Sequence, residues 1–274
     1  MKIVADSCCD ITARDEKEFN INIVPLTLFL GEESFLDDSK LDLDDYKEKL
    51  SQYQGRATSA CPSPGSFKEA FMEDKETFCI TLSSNLSGTY NSAMLAKEMA
   101  EEEGAKVEVI DSKSASAGEA FLAYELLDLI GQGLKFDDIR DKMQDIVSRM
   151  KTYFVLENMD NLVKNGRLNK VAGKIITALH VKPIMGADDE GNIKLYNYGR
   201  TKKQIIEKMV GMVKDIKEAG ATFTLVIAHN NNIELAQNLQ ESLLAVFEKI
   251  NIKIVPTRGL SSMYADNKGL IIAF

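Results

Sequence analysis

The chain of 274 residues is poor in the groups most enzymes use for chemistry, with only two histidines, His180 and His229. A His-Glu-x-x-His zinc pattern cannot be made from them. A serine hydrolase would have few candidates for its base. There is no Gly-x-Ser-x-Gly elbow, no Walker A loop and no Gly-x-Gly-x-x-Gly turn. The four cysteines, Cys8, Cys9, Cys61 and Cys79, have neither metal-ligand nor redox-motif spacing. Reduced thiols in a cytoplasmic protein are the expectation, with no cofactor and no metal. Acidic residues outnumber basic ones, 42 to 33. The formal net charge of −9 excludes a global nucleic-acid footprint. No apolar run is long enough to span a membrane. The first residues, Met1 to Asp6, enter a strand pattern directly and lack a signal-peptide layout. These absences favour a binding protein over an enzyme.

What the chain does have is a series of small polar loops, each following a strand and opening a helix. The central one is Ser83 to Ala93, SSNLSGTYNSA, after the apolar stretch Thr77–Leu82. Backbone N–H groups at Gly88 and Thr89 there would face outward at the positive end of a helix. The Ser87 and Thr89 hydroxyls lie beside them, a combination suited to carboxylate or phosphate. Helix capping by Ser87 accounts for the same pattern. Asp6–Asp10 and Asp111–Gly118 repeat the arrangement after the strands Lys2–Ala5 and Lys106–Ile110, and Ala57–Gly65 adds Thr58, Ser59 and Ser63. Four such loops predict one rim lined with hydroxyls. Ile21–Leu30 reads as a strand that Pro25 consigns to an edge or bulge. The acids of Asp37–Asp45 read as a solvated surface and helix start. His180 and His229 fit a helix end and a turn.

The βα alternation predicts an α/β fold with an N-terminal, mainly parallel sheet covered by helices on both faces. After Met150 the pattern changes. The turn signal Asp189–Asn192 and the strands around it predict a mixed sheet. The boundary is placed near Thr152, giving an N-terminal domain of residues 1–152 and a C-terminal domain of residues 153–274.

These motifs, taken together, resemble the DegV family, whose characterised members are bacterial fatty-acid-binding proteins. The matching stretches are ADSCCD at Ala5–Asp10, ATSACPSPGSF at Ala57–Phe67, SSNLSGTYNSA at Ser83–Ala93 and IDSKSASAG at Ile110–Gly118. LVKNGRLNK at Leu162–Lys170, VKPI at Val181–Ile184 and GRTKK at Gly199–Lys203 follow in the family's order. The resemblance implies two α/β domains with a long-chain fatty acid between them, its acyl chain in an apolar tunnel. It implies that the carboxylate meets Ser87 of the SGT motif and Ser59, aligned on Pro62, with Thr58 one place earlier. It further implies delivery of the lipid to a separate kinase subunit that makes the acyl phosphate, with Arg167 and Arg200 engaged in that encounter. The family's C-terminal His-x-Gly-Pro-Gly motif is absent. Counted back from Phe274, Tyr264 stands where its histidine would be, and a phenol donates a hydrogen bond while staying neutral at pH 7.

The reading is a fatty-acid-binding protein that does not transform its ligand, without nucleic acid and without stable membrane insertion. The alternatives are an enzyme acting on an acyl or phosphorylated small molecule with Ser87 as nucleophile, and a lipid-responsive regulator. Apolar residues in Ile21–Leu30, Phe121–Ile130 and Ile175–Leu179 are candidates to line the tunnel.

Overall fold

The computed structural model describes residues 1–168, 181–218 and 220–274. The expected helix running to Ala178, the segment Ile175–Leu179, His180 and the end of the Leu162–Lys170 motif lie outside the described residues.

The N-terminal sheet is all parallel. It contains β1 (Lys2–Asp6), β2 (Asn22–Val24), β6 (Glu76–Thr81) and β7 (Lys106–Asp111), in the order β2-β1-β6-β7. Side chains alternate across a strand, and here both faces are apolar. Ile3, Ala5, Phe78 and Ile80 face α5 (Ala117–Gly131) and α6 (Phe136–Arg149). Val4, Cys79, Val107 and Val109 face α3 (Pro64–Phe71) and α4 (Thr89–Glu101). Helices therefore cover both faces, as the alternation predicts.

The strand expected over Ile21–Leu30 is two strands in two sheets. Pro25 has no N–H to give to a ladder, and β2 ends at Val24 just before it. The chain then turns into β3 (Thr27–Leu30), which pairs antiparallel with β4 (Glu33–Leu36) and β5 (Ala57–Ala60) in a separate three-stranded sheet. Ser7 Oγ steadies the turn by accepting from Leu26 N–H at 3.1 Å.

The C-terminal sheet is mixed, in the order β10-β9-β8-β13-β11-β12. Its strands are β8 (Thr152–Val155), β9 (Lys182–Ala187), β10 (Ile193–Gly199), β11 (Phe223–His229), β12 (Ile250–Pro256) and β13 (Leu270–Ala273). Only β11 and β12 run parallel. The predicted hairpin joins β9 to β10. Gly191 takes φ +82 in its turn, and Asp188 accepts the N–H groups of Glu190 and Asn192 at 3.0 and 2.9 Å.

Helix α5 is the common element of the molecule. It is apolar almost all round, as a helix buried between two layers must be. Its residues share one continuous core with Phe78 and Ile80 of the parallel sheet and with Val226 and Ile271 of the mixed sheet. The same approach of the two sheets brings the loops at the C-terminal ends of β1, β6 and β7 against β8, β9 and the last helix, Gly259–Ala265.

Candidate functional site

The loops after β1, β6 and β7, the β9–β10 hairpin, strand β5 and the helix Gly259–Ala265 meet around a cavity. Its polar wall includes Ser59, Ser87, Ser114, Ser116, Ser261 and Tyr264. Its apolar wall comes from Leu26, Leu86, Phe154, Leu162, Ile193 and Ile271, among others. The lining draws on both sheets. Of the segments expected to line a tunnel, Ile21–Leu30 contributes Leu26. Phe121–Ile130 contributes nothing, because those side chains fill the core between the sheets.

The candidate residues separate by position. Ser59 and Thr58 are neighbours on β5, so their side chains point to opposite faces. Ser59, opposite the fully buried Leu28, lines the cavity, and Thr58, opposite Phe29, does not. Ser87 lines it from the turn before α4. The N-cap of that helix is Gly88, with no side-chain cap. Ser87 Oγ accepts from Thr89 N–H at 3.3 Å and lies 2.9 Å from Thr89 Oγ1. Thr89 is buried and Gly88 is exposed, and a Cβ added to Gly88 would lie 3.6 Å from Cys61 Sγ. Tyr264 reaches the cavity from helix Gly259–Ala265, a helix that escaped the sequence reading because it spans only seven residues.

Arg167 and Arg200 are not brought together. Arg167 is part of the cavity wall and donates to the backbone carbonyls of Leu86 (3.0 Å) and Asn165 (2.6 Å). Arg200 is exposed beyond the far end of β10. It lies seven positions along the chain from Ile193 at the cavity, about 23 Å of extended chain.

Four carboxylates that sequence reasoning did not single out hold this rim. Asp6 accepts from Cys8 N–H and Leu82 N–H, both at 2.8 Å, so it joins two loops. Asp111 accepts from Ser84 N–H and Lys113 N–H at 3.1 and 3.0 Å. Asp10 takes the Ser116 hydroxyl at 2.5 Å and Arg258 N–H at 2.6 Å. Asp37 accepts from Gly259 N–H and Leu260 N–H at 2.9 and 2.8 Å, which caps the helix carrying Tyr264. Asp37 is thus fully buried, in contrast to the solvated surface expected for Asp37–Asp45. The available signal was repetition: an aspartate stands at the end of one strand after another, directly before a hydroxyl-rich loop.

Burial governs the electrostatics. It raises Asp6 to about 7 and Asp10 to about 6, against the lowering effect of the N–H groups they accept. It raises Asp37 as well, and it pushes Cys8 and Cys9 up so far that both are inert thiols. Among the described residues, one trio of metal-ligand atoms lies together, from Asp6, Cys8 and Glu119. A cation there would compete with the two N–H groups already on Asp6. His229 accepts from Asn232 N–H through Nδ1 at 3.4 Å, the turn role expected of it. No helix among the described residues is long and apolar enough to cross a membrane.

Comparisons with known proteins bear on the chain as a whole. A DegV domain-containing protein of Streptococcus pneumoniae R6 is 36% identical over 277 residues, covering 100% of this chain and 98% of its own. The S. pneumoniae Fatty Acid Kinase (Fak) B3 protein, solved loaded with linoleic acid, is 35% identical with a TM-score of 0.92, over 100% of this chain and 98% of that one. A DegV protein of Ruminococcus gnavus, solved with vaccenic acid, is 34% identical with a TM-score of 0.92, over 100% and 99%. A model of the DegV family, described as uncharacterised protein, matches residues 1–272. The chain therefore belongs to the DegV family.

Proposed function

We propose that this protein binds a long-chain fatty acid and presents its carboxylate to a partner kinase, without transforming the lipid itself. The observation that carries this reading is one cavity, apolar over most of its wall, whose polar part gathers Ser59, Ser87 and Tyr264. The fatty acids held by the S. pneumoniae and R. gnavus relatives support it. In this reading the chain works in the cytoplasm, as two units of residues 1–152 and 153–274 with the lipid in a tunnel between them. The tail supplies most of the affinity, at about 0.8 kcal/mol per buried methylene. Each charge-assisted hydrogen bond to the carboxylate adds about 1.5–3 kcal/mol. The S. pneumoniae relative bears the name of a fatty acid kinase, and that name motivates the partner.

The enzyme reading has less support. Ser87 is hydrogen-bonded to Thr89, and among the described residues no histidine or carboxylate reaches its hydroxyl to act as base. Native mass spectrometry of the purified protein, followed by titration of the delipidated chain with fatty acids, tests the proposal. A co-purified fatty acid, or saturable binding that fails for the matching hydrocarbon without a carboxylate, is the expected result. Absence of both would remove it, and turnover of an acyl ester without any partner would favour the enzyme.

A further inference from the structure

Glu119, in the first turn of α5, is completely buried, and neither of its carboxyl oxygens meets a fixed hydrogen-bond donor. What it faces is another acid. An oxygen of Glu119, an oxygen of Asp6 and Sγ of Cys8 all lie within 4.8 Å of one another. Two ionised carboxylates so close, away from water, repel each other and lose hydration without return. A proton resolves both problems, because a protonated carboxyl becomes a donor and its neighbour an acceptor. Asp6 is the natural acceptor, since its carboxylate is already held by Cys8 N–H and Leu82 N–H.

We propose that Glu119 is kept as a carboxylic acid hydrogen-bonded to Asp6, and that this one proton ties together the three loops of the hydroxyl rim. Asp6 carries the loop through Cys8 and, by way of Leu82, the loop through Ser87. Glu119 carries the third, because α5 begins directly after Ser114–Ser116. Glu119 is then a positioning residue for the head group and does not touch it.

The surroundings favour retention of the proton. The loop after β1 presents Asp10 and the Cys8 and Cys9 thiols, β6 presents the Cys79 thiol, and the segment after β4 presents Asp37. Among the described residues the nearby cations are Arg258, which is paired with Glu16, and Lys47, which acts on Asp10. Burial first, and the Asp6 charge second, raise Glu119 well above the ordinary carboxylate range. A carboxyl whose folded pKa is raised contributes stability that is complete below its unfolded pKa and is lost as pH rises through the folded one. Rim integrity should therefore fail on the alkaline side, in the wild type and not in a variant with a permanently neutral donor.

The proposal rests on the fatty-acid reading for its binding measurement, so the experiment has readouts that do not. Wild type, Glu119→Gln and Glu119→Ala are compared by fatty-acid titration and thermal unfolding from neutral to alkaline pH, and by difference infrared spectroscopy of protonated carboxyls. Glu119→Gln should keep neutral-pH affinity within about threefold and remove the alkaline loss, while Glu119→Ala should lose about tenfold or more by removing the hydrogen bond that joins Asp6 to α5. A protonated-carboxyl band that persists above the Asp6 and Asp10 titrations should vanish in Glu119→Gln. If Glu119→Ala does not fold, the pH profile of Glu119→Gln carries the test. The same alkaline limb in wild type and Glu119→Gln would overturn the proposal. So would absence of the band, or one divalent ion bound per chain of purified wild type. If the chain binds no fatty acid, the unfolding profile and the band still test the proton, and only the binding proposal falls.

Discussion

Ser59 and Ser87 reach the cavity from different kinds of backbone, a strand and a turn. That difference gives two predictions at the scale of single residues. Ser87→Ala should weaken fatty-acid binding by about 1–3 kcal/mol with the fold retained, because the carboxylate loses one of its hydroxyl donors. Isothermal titration on a folded variant checks this, and unchanged affinity would leave Ser87 with only its bond to Thr89. On β5 the prediction is a contrast. Ser59→Ala should cost affinity of similar size and Thr58→Ala little, since only Ser59 lines the cavity. Equal effects would mean that the strand, and not the hydroxyl, is what matters. Tyr264 extends the argument, because Tyr264→Phe keeps the ring and removes only the donor.

At the scale of elements, the β9–β10 hairpin is held across the rim by its tip. Ser83 Oγ donates to Gly191 C=O at 3.0 Å, Asn85 Nδ2 to Glu190 C=O at 2.6 Å and Lys113 Nζ to Asp189 C=O at 2.8 Å. Gly191 is irreplaceable there on two counts. Its φ is +82, and a Cβ would lie 2.4 Å from Ser83 Oγ and 2.9 Å from Lys113 Cα. Gly191→Ala should destabilise the fold by about 1–3 kcal/mol and weaken lipid binding, since the tip must lift off the loops that carry Ser83 and Ser114. A drop in melting temperature together with a higher dissociation constant is the expected pair of results. An unaltered melting temperature would mean that the turn adapts. The helix Gly259–Ala265 depends likewise on its cap. Asp37→Ala leaves two buried N–H groups unpaired, and should cost stability and misplace Tyr264.

For the whole molecule, the positions of the two arginines matter most. Arg200 is exposed and remote from the cavity, so Arg200→Ala should leave fatty-acid affinity unchanged and lower only partner-dependent phosphorylation of the bound lipid. Arg167 holds the Ser87 loop through Leu86 C=O, while the adjoining Asn165 holds the Ser59 strand through Ala57 C=O at 2.9 Å. Arg167→Ala should therefore weaken both lipid binding and phosphorylation. A lipid titration run beside a phosphorylation assay with the candidate kinase separates the two. Loss of lipid binding in Arg200→Ala would show that it acts on the fold or the cavity.

Local chemistry made much of this protein readable. Apolar strands followed by hydroxyl-rich loops and helices determine a parallel sheet with its loops at one end, because strand and helix periodicities are local properties. Asp189–Asn192 determines a hairpin for the same reason. The motifs around Ser59 and Ser87 and the count from Phe274 to Tyr264 pointed to residues that line one cavity. Only the tertiary structure decided the rest. It split Ile21–Leu30 between two sheets at Pro25, since strand pairing depends on partners distant in the chain. It put Ser59 in the cavity and Thr58 outside it, a choice between two faces set by register with β3. It buried Asp37 and set Asp6 against Glu119, because a carboxylate looks the same in sequence whether water or a backbone N–H receives it. The donors that make burial tolerable come from residues as far away as Gly259 and Leu82, which only folding brings near.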